Sequence, residues 1–286
     1  MAQEADLPAV VVSRMTRDDL DVAVEWAARE GWNPGLSDAD AFWAADPNGY
    51  FVARADDEVV GVVSCVRYGP SFAFAGFYIV APDERGHGIG HLLAERVFSR
   101  AGDRVLGLDG VPEQQATYLS MGFRLVHGNV RFGGVVGDAP VSREVITLGP
   151  PNVDEIEDYD RSCFPGPRRE FLEAWTGMPG ALTLGVRDDH GLAGYGVIRP
   201  CRVGFKIGPL FADDTETADR LFDALAAHAG SGSEVFIDVP EPNEAALALA
   251  EERGLDPVFE TARMYRHGTP EIRHDRVFGV TSFELG

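Results

Sequence analysis

Lysine is almost missing from this chain of 286 residues: Lys206 is the single one, and arginine supplies the remaining positive side chains. Against 25 Lys+Arg stand 46 Asp+Glu, a formal net charge of −21. A surface so short of positive charge repels phosphate backbones and anionic lipid, which argues against nucleic acid and membrane as general partners. Abundant aspartate with scarce lysine fits a salt-rich cell interior, and GC-rich codon usage accounts for it equally well. Cysteine is scarce too. Cys65, Cys163 and Cys201 are odd in number, far apart and without metal-ligand spacing. They exclude a disulfide framework and read as inert thiols of a reducing compartment. No apolar run reaches the roughly 18 residues that a bilayer span needs. The opening segment, MAQEADLP, is acidic and has no secretory h-region. The expected location is the cytoplasm.

What is present suggests two domains, since about 150 residues per domain is the ordinary size. Hydrophobic residues at 45% allow a core in each. Val10 to Arg14 reads as a strand. Thr16 then caps a helix whose first turn carries Asp18 and Asp19, where the dipole favours acids. The helix stops at Gly31, a loop Trp32-Asn33-Pro34-Gly35 follows, and a short helix covers Asp38 to Ala45. Tyr50 to Arg54, Val59 to Tyr68 and Ser71 to Val80 form an antiparallel meander, separated by Asp56-Asp57-Glu58 and Gly69-Pro70. Ile89, Leu92, Leu93 and Val97 then recur at helical spacing. Val105 to Leu108 is a strand, Pro112 to Met121 a helix, and Phe123 to His127 and Asn129 to Phe132 are two strands. Residues 133–151 read as a last strand and a linker ending at Leu148-Gly149-Pro150-Pro151.

The second half restarts with acids at a helix start (Val153-Asp154-Glu155). Strands follow near Ala181 to Val186 and Gly194 to Pro200, then a helix, Thr215 to His228. Val235 to Val239, a helix Asn243 to Arg253, Val258 to Tyr265 and Phe278 to Leu285 complete the series. The halves share a plan. Leu106-Gly107-Leu108-Asp109 precedes a helix ending at Gly122, and Phe236-Ile237-Asp238-Val239 precedes one ending at Gly254. Arg131 and Arg266 extend the alignment, which reads as duplication of one α/β module.

The most informative segment runs Tyr78-Ile79-Val80-Ala81-Pro82-Asp83-Glu84-Arg85-Gly86-His87-Gly88-Ile89-Gly90-His91. A strand enters a glycine-rich turn that opens an amphipathic helix. Free first-turn amides and the positive end of the helix dipole make an anion site there, suited to phosphate or pyrophosphate. Arg85 could add a bidentate contact. A P-loop is excluded, because no lysine follows the glycines. A Rossmann fingerprint is weakened: His91 stands where it needs Gly or Ala, and the preceding meander is antiparallel. Asp109 does stand about 20 residues on, as that fingerprint requires.

Arg85-Gly86-His87-Gly88-Ile89-Gly90 resembles the R/Q-x-x-G-x-G/A motif of the GNAT acyltransferases. Tyr118-Leu119-Ser120-Met121-Gly122-Phe123 resembles that superfamily's Y-x-x-x-G-F signature. The resemblance covers about residues 9 to 134. The Gly-Trp-Asn-Pro-Gly loop and the ending Phe278 to Gly286 also look like a bacterial and archaeal subgroup with an added C-terminal GNAT-like domain. The implied fold class is α/β (α+β): two GNAT-like modules, each a mixed, mostly antiparallel sheet flanked by helices. Residues 1–148 would form the catalytic domain and 149–286 a degenerate copy. The latter lacks the glycine motif, carries Asp213, Asp214 and Glu216 instead, and has Ala250 where the first half has Tyr118.

The resemblance implies acetyl-CoA as co-substrate, with no metal, and transfer to a primary amine of a small molecule. Ile79 and Val80 would pair with the pantetheine arm. Backbone amides of Arg85, Gly86, His87, Gly88, Ile89, Gly90 and His91 would hold the pyrophosphate. Tyr118 would protonate the leaving thiolate. The base stays open among Glu30, Asp109 and Glu113, with Glu25 facing solvent. Trp32 and Asn33 would border the acceptor, and Arg67 and Tyr68 could face the same cleft. The C-terminal domain would pack on the first and cover its acceptor site. A CoA-binding sensor without turnover and a nucleotide-dependent oxidoreductase are the rival readings. A monomer and a homodimer fit equally.

Overall fold

The computed structural model describes residues 10–138 and 141–286. The acidic opening segment, and residues 139 and 140 of the expected linker, lie outside the described residues. The first half runs β1 (Val11–Arg14), α1 (Arg17–Arg29), α2 (Asp38–Ala45), β2 (Tyr50–Ala55), β3 (Glu58–Tyr68), β4 (Phe72–Val80), α3 (Ile89–Ala101), β5 (Val105–Gly110), α4 (Gln115–Ser120) and β6 (Arg124–Val135). The second half repeats that series. It runs β7 (Val145–Leu148), α5 (Val153–Asp160), α6 (Arg169–Thr176), β8 (Leu182–Asp188), β9 (Gly191–Pro200), β10 (Phe205–Ala212), α7 (Thr215–Ala229), β11 (Glu234–Pro240), α8 (Glu244–Glu252) and β12 (Asp256–Arg266). One strand without a counterpart, β13 (Val277–Gly279), ends it.

Local chemistry sets these elements. Thr16 accepts from the Asp19 amide while Asp19 accepts from the Thr16 amide, a reciprocal cap that starts α1. Leu20, Ala23, Val24 and Ala27 then form its buried stripe. Gly102 stops α3 in a positive-φ conformation, φ 60. Proline at residue 112 tightens the entry to α4 into a 3₁₀ turn, so the expected helix from 112 to 121 is two pieces.

The strands form one mixed sheet in the order β1-β2-β3-β4-β5-β12-β6-β11-β10-β9-β8-β7. Its parallel pairs are β4–β5 and β10–β11, and the other neighbours run antiparallel. The last strand of each half has crossed to the other: β12 pairs with β5, and β6 pairs with β11. The two exchanged strands meet at the centre of the sheet.

Helices α1, α2, α5 and α6 cover one face in a core shared by both halves. There Phe42 stacks on Trp175 with ring centroids 6.0 Å apart. On the other face α3 and α4 pack over the first half, and α7 and α8 over the second. No helix among the described residues is long and apolar enough to cross a membrane.

Several expectations are corrected. The two strands read over 123–132 are one, β6, because both β12 and β11 pair along its length. The strand read as closing the first half, β7, pairs with β8 and stands in the series where β1 stands. Helix α6 and strand β10 were not expected: α6 is amphipathic, with Phe171, Leu172 and Trp175 on its buried face, but has only 8 residues, and Gly208-Pro209 interrupts β10. The partner of Arg131 in the repeat is Arg263, since both face an aspartate directly across the ladder. Arg266 lies instead over the Phe98 ring, 4.4 Å from its centroid.

Candidate active site

Strands β4 and β5 pair only from Phe72↔Val105 to Ala75↔Leu108. Beyond that point the register between β3 and β4 slips, and Phe77 sits at φ 50 in the left-handed region. A bulky residue there is strained and persists only when its surroundings dictate it. Phe77 is fully buried, edge-on to Phe42 at 5.7 Å. The bulge turns β4 away from β5, so residues 76–80 have no β5 partner among the described residues. Ile79 and Val80 lie on this open stretch. A cavity of about 360 Å³ fills the gap.

One end of the cavity is the glycine turn. Gly86 and Gly88 each have φ 85, and a Cβ on either would meet nothing within 4 Å. Their surroundings are open, so it is the backbone conformation that requires glycine. Gly88 caps α3 with no side chain of its own, and the amides of residues 86–90 find no backbone acceptor among the described residues. Gly90 is glycine for another reason: a Cβ there would lie 2.6 Å from the Tyr78 hydroxyl oxygen, and that hydroxyl donates to the Gly90 carbonyl at 2.7 Å. Ile89 buries its side chain in the core and offers only its amide. His87 and His91 are exposed beside Glu84 and Glu95, at 3.5 and 3.3 Å. Arg85 donates to the Val80 carbonyl at 3.0 Å and to Glu30 at 2.8 Å, which ties the turn to the end of α1.

Tyr118 lines the cavity. Its ring stands edge-on to Tyr78 and to Phe123, each at 6.2 Å. It also packs against Gly110, where a Cβ would collide with it. Burial pushes the phenol well above its ordinary value, so it stays protonated. Its hydroxyl takes no hydrogen bond from the described residues.

The carboxylates differ. Asp109 lines the cavity, yet Arg263 grips it at 2.6 and 2.7 Å and Asn129 donates to it at 2.9 Å. Burial pushes its carboxyl up, while Arg263 and Asn129 pull it down. Glu30 lies at the mouth, paired with Arg85. Glu113 does not line the cavity, and Glu25 pairs at the surface with Arg202.

Trp32 lines the cavity. Asn33 does not reach it, because its amide exchanges two hydrogen bonds with the Val203 backbone, at 3.0 and 2.9 Å. Arg67 and Tyr68 also lie away from it. Arg67 donates to the Arg100 carbonyl and Tyr68 to that of Leu285.

Residues absent from the sequence-level site close the cavity from the second half: Phe259 and Thr261 on β12, and Phe283 after β13. The second half also clamps the loop after α1. The Trp32 carbonyl accepts from Arg131 at 2.7 Å and from Lys206 at 3.3 Å, and the Asn33 carbonyl accepts from Lys206 at 2.9 Å. The chain's sole lysine is thus buried under that loop, and burial lowers its ammonium below the ordinary value. The one signal for this clamp in the sequence is the isolation of Lys206.

In the second half, β10 and β11 pair in parallel over Phe205–Ile207 and then part. Their gap is filled. Strand β13 pairs antiparallel with β10, the Val280 amide donates to the Asp238 backbone carbonyl at 2.8 Å, and a Cβ on Gly279 would meet the Ile237 side chain at 2.9 Å. The equivalent of Gly88 is Asp214, whose carboxylate accepts from the Thr217 amide at 2.8 Å and caps α7.

Residues 17–123 match the Acetyltransferase (GNAT) family, and residues 156–279 match an Acetyltransferase (GNAT) domain. The chain is 32% identical over 272 residues to the holothin acyltransferase of Pseudoalteromonas sp. (strain SANK 73390), covering 94% of this chain and 92% of that protein. Its fold is similar to that of a putative acetyltransferase from Pyrococcus horikoshii, with a TM-score of 0.82 at 23% identity, over 100% of this chain and 99% of that one. It is also similar to a tandem GNAT protein from the clavulanic acid biosynthesis pathway, with a TM-score of 0.63 at 15% identity, over 91% and 99% of the two chains.

Proposed function

Because the chain belongs to the GNAT acetyltransferase family in its tandem form, we propose that it moves the acetyl group of acetyl-CoA directly to a primary amine of a small molecule. That it is an acyltransferase follows from the family; the acetyl donor and the amine acceptor are the proposal. The observation that carries it is a single cavity touching the glycine turn, the open edge of β4, Tyr118 and a wall from the second half.

The residues present suit that substrate. The bare amides of residues 86–90 and the α3 dipole fit a pyrophosphate, with Arg85 adjacent. The open edge at Ile79 and Val80 offers backbone groups to a pantetheine amide. The amine nitrogen attacks the thioester carbonyl, the N–C bond forms, and the C–S bond breaks. Tyr118, kept protonated by burial, gives its proton to the sulfur. After attack the nitrogen is strongly acidic, and Glu30 at the mouth can take its proton directly or through water. Asp109 is assigned to holding Arg263 rather than to proton transfer, because both of its oxygens are engaged. Trp32 borders the acceptor, and Asn33 positions that loop.

Catalysis is assigned to the first half, expected as residues 1–148, with 149–286 as a degenerate copy. The place of β7 in the series supports a boundary before residue 145. The filled gap beside β13 and the aspartate cap of α7 support one co-substrate site per chain. The name of the Pseudoalteromonas relative supports a small-molecule acceptor.

The test is turnover with acetyl-CoA and a panel of amines, followed by thiol release and by the mass of the product. Acylated amine and free CoA in equal amounts are expected. Tight CoA binding without turnover on any amine would overturn the proposal in favour of a sensor.

A further inference from the structure

Resting on the acyltransferase reading of the same cavity, we propose that Thr261 of the second half binds the acceptor: its hydroxyl donates a hydrogen bond to an acceptor oxygen. The acceptor is then a primary amine that also carries a hydrogen-bond-accepting oxygen, such as a carbonyl. Asp109 and Asn129 are the positioning residues that aim this hydroxyl.

The crossing of strands puts Thr261 in place. Phe259, Thr261 and Arg263 alternate along β12, in unbroken register with Arg131, Asn129 and His127 of β6. Alternation sets all three on one face of the sheet. Phe259 packs into the core shared with α1, whereas Ala262 and Met264 pack on the α3 side. Phe259 and Thr261 line the cavity with Trp32 and Phe283, and the Arg131 guanidinium lies 4.9 Å from the Phe283 ring centroid. Thr261 thus brings a hydroxyl to a wall of aromatic side chains.

A chain of hydrogen bonds decides what that hydroxyl can do. Arg263 holds both Asp109 oxygens, at 2.6 and 2.7 Å, so this carboxylate can only accept. Asn129 turns its NH2 toward it, at 2.9 Å. The same nitrogen donates to the Thr261 oxygen at 3.1 Å. The opposite amide orientation would set oxygen against oxygen at Asp109. The orientation seen leaves Asn129 Oδ1 buried without a partner among the described residues, so the carboxylate overrides that cost. With its oxygen accepting from Asn129, Thr261 has its proton left to give, and no described side chain takes it. Thr261 is itself buried, and a buried donor left unpaired is costly. A ligand oxygen in the cavity relieves it. The partner is not the reacting nitrogen, because a hydrogen bond given to that atom would tie up the lone pair that attacks. Strand β12 stands two places from β4 in the sheet, about 10 Å at the ordinary strand spacing. The thioester lies at the β4 edge in the acyltransferase reading, so the nitrogen and the oxygen of the acceptor are a few bonds apart.

The test uses pairs of primary amines matched in length, at saturating acetyl-CoA. Glycine benzylamide is set against 4-phenylbutylamine, with homologous pairs in which the carbonyl lies farther from the amine. The ratio of kcat/KM, oxygen-bearing over oxygen-free, is measured for the parent, Thr261→Val and Thr261→Ser. The change in that ratio between proteins cancels the difference in amine basicity. Thr261→Val should lower it at least about fivefold, the worth of one neutral hydrogen bond. The loss should appear in the acceptor KM rather than in kcat, with the Kd for acetyl-CoA unchanged. Thr261→Ser keeps the hydroxyl and should hold the ratio within about twofold. If Thr261→Val does not fold, Thr261→Ala is read in the same way. An unchanged ratio, or an equal fall for both members of a pair as a merely structural role would give, overturns the proposal and leaves the transferase reading standing. A parent protein that turns over only the oxygen-free amines does the same. Turnover of no amine at all, with acetyl-CoA bound, overturns both.

Discussion

Arg131 and Asp238 stand directly opposite each other on β6 and β11, joined by charge-assisted hydrogen bonds of 2.6 and 2.8 Å. The pair has a twin. Arg263 and Asp109 oppose each other on β12 and β5 at 2.6 and 2.7 Å. In each pair the arginine belongs to one half and the aspartate to the other, so the exchange of strands is marked by reciprocal buried ion pairs.

Removing one member of such a pair leaves an uncompensated buried charge. Arg131→Met should therefore cost about 3–5 kcal/mol of stability, and the double variant Arg131→Met/Asp238→Leu should recover most of it. Urea unfolding of the three proteins checks this. A double variant no better than the single would show that the arginine's other contacts, to the Trp32 carbonyl and to Phe283, carry the loss.

Tyr118→Phe keeps the ring against Gly110 and removes only the hydroxyl. General acid catalysis is worth about 10²–10⁴-fold, so the single-turnover rate of transfer should fall at least 100-fold. The Kd for acetyl-CoA should barely move, because the lost interaction exists only in the transition state. A rate within about threefold of the parent would reject Tyr118 as the acid.

Gly88→Asp places a carboxylate at the cap of α3. Helix stability should not suffer beyond the strain of a positive φ, since an acid suits a helix N-terminus. Acetyl-CoA affinity should fall at least tenfold, because the same charge faces the pyrophosphate. Calorimetry with circular dichroism separates the two effects, and unchanged affinity would reject the cradle.

Titration with CoA should give one site per chain. Strand β13 lies where the second half would otherwise open, and Asp214 already occupies the cap of α7. Two equivalent sites would mean that β13 leaves its place on binding.

Stability should depend on His127 and His274, whose rings meet edge-on at 5.0 Å beside the strand crossing. Burial, with Arg263 nearby, pushes His127 down to about 4 and also lowers His274. Between the ordinary value near 6.5 and about 4, the unfolded chain binds protons that the folded chain refuses. Unfolding is therefore favoured progressively as pH falls through that window, and the loss is complete below it. Urea midpoints from pH 7.5 to 4.5 should fall more steeply for the parent than for His127→Gln.

The legible parts of this molecule are local ones. The glycine turn, the cap at Thr16 and the helix Asp38–Ala45 depend on neighbours in sequence, and their residues announce them. The partner of a strand is not local. Nothing within 124–135 or 256–266 tells that each pairs with the other half, because an apolar strand suits either neighbour equally. Phe259 and Phe283 were invisible as site residues for that reason. Asn33 was legible as a loop residue, but its amide is consumed by Val203, a contact set by the packing of the halves. Arg263 could have been found, since it stands at the same spacing past Gly254 as Arg131 past Gly122, and the aspartates before both helices supply its reason.

The crossed strands also bear on how the chain is made. When β5 has left the ribosome its open edge must wait for β12, about 150 residues later. At roughly 5–20 residues per second that is about 8–30 s. During that interval an apolar strand, Val105–Gly110, has an unpaired edge in a crowded cell, and strand edges of this kind recruit one another. Yield at high expression should thus be limited by the delay before residues 256–266 arrive, and slower initiation with an abundant holdase chaperone should raise it more than any stabilising change in the finished core.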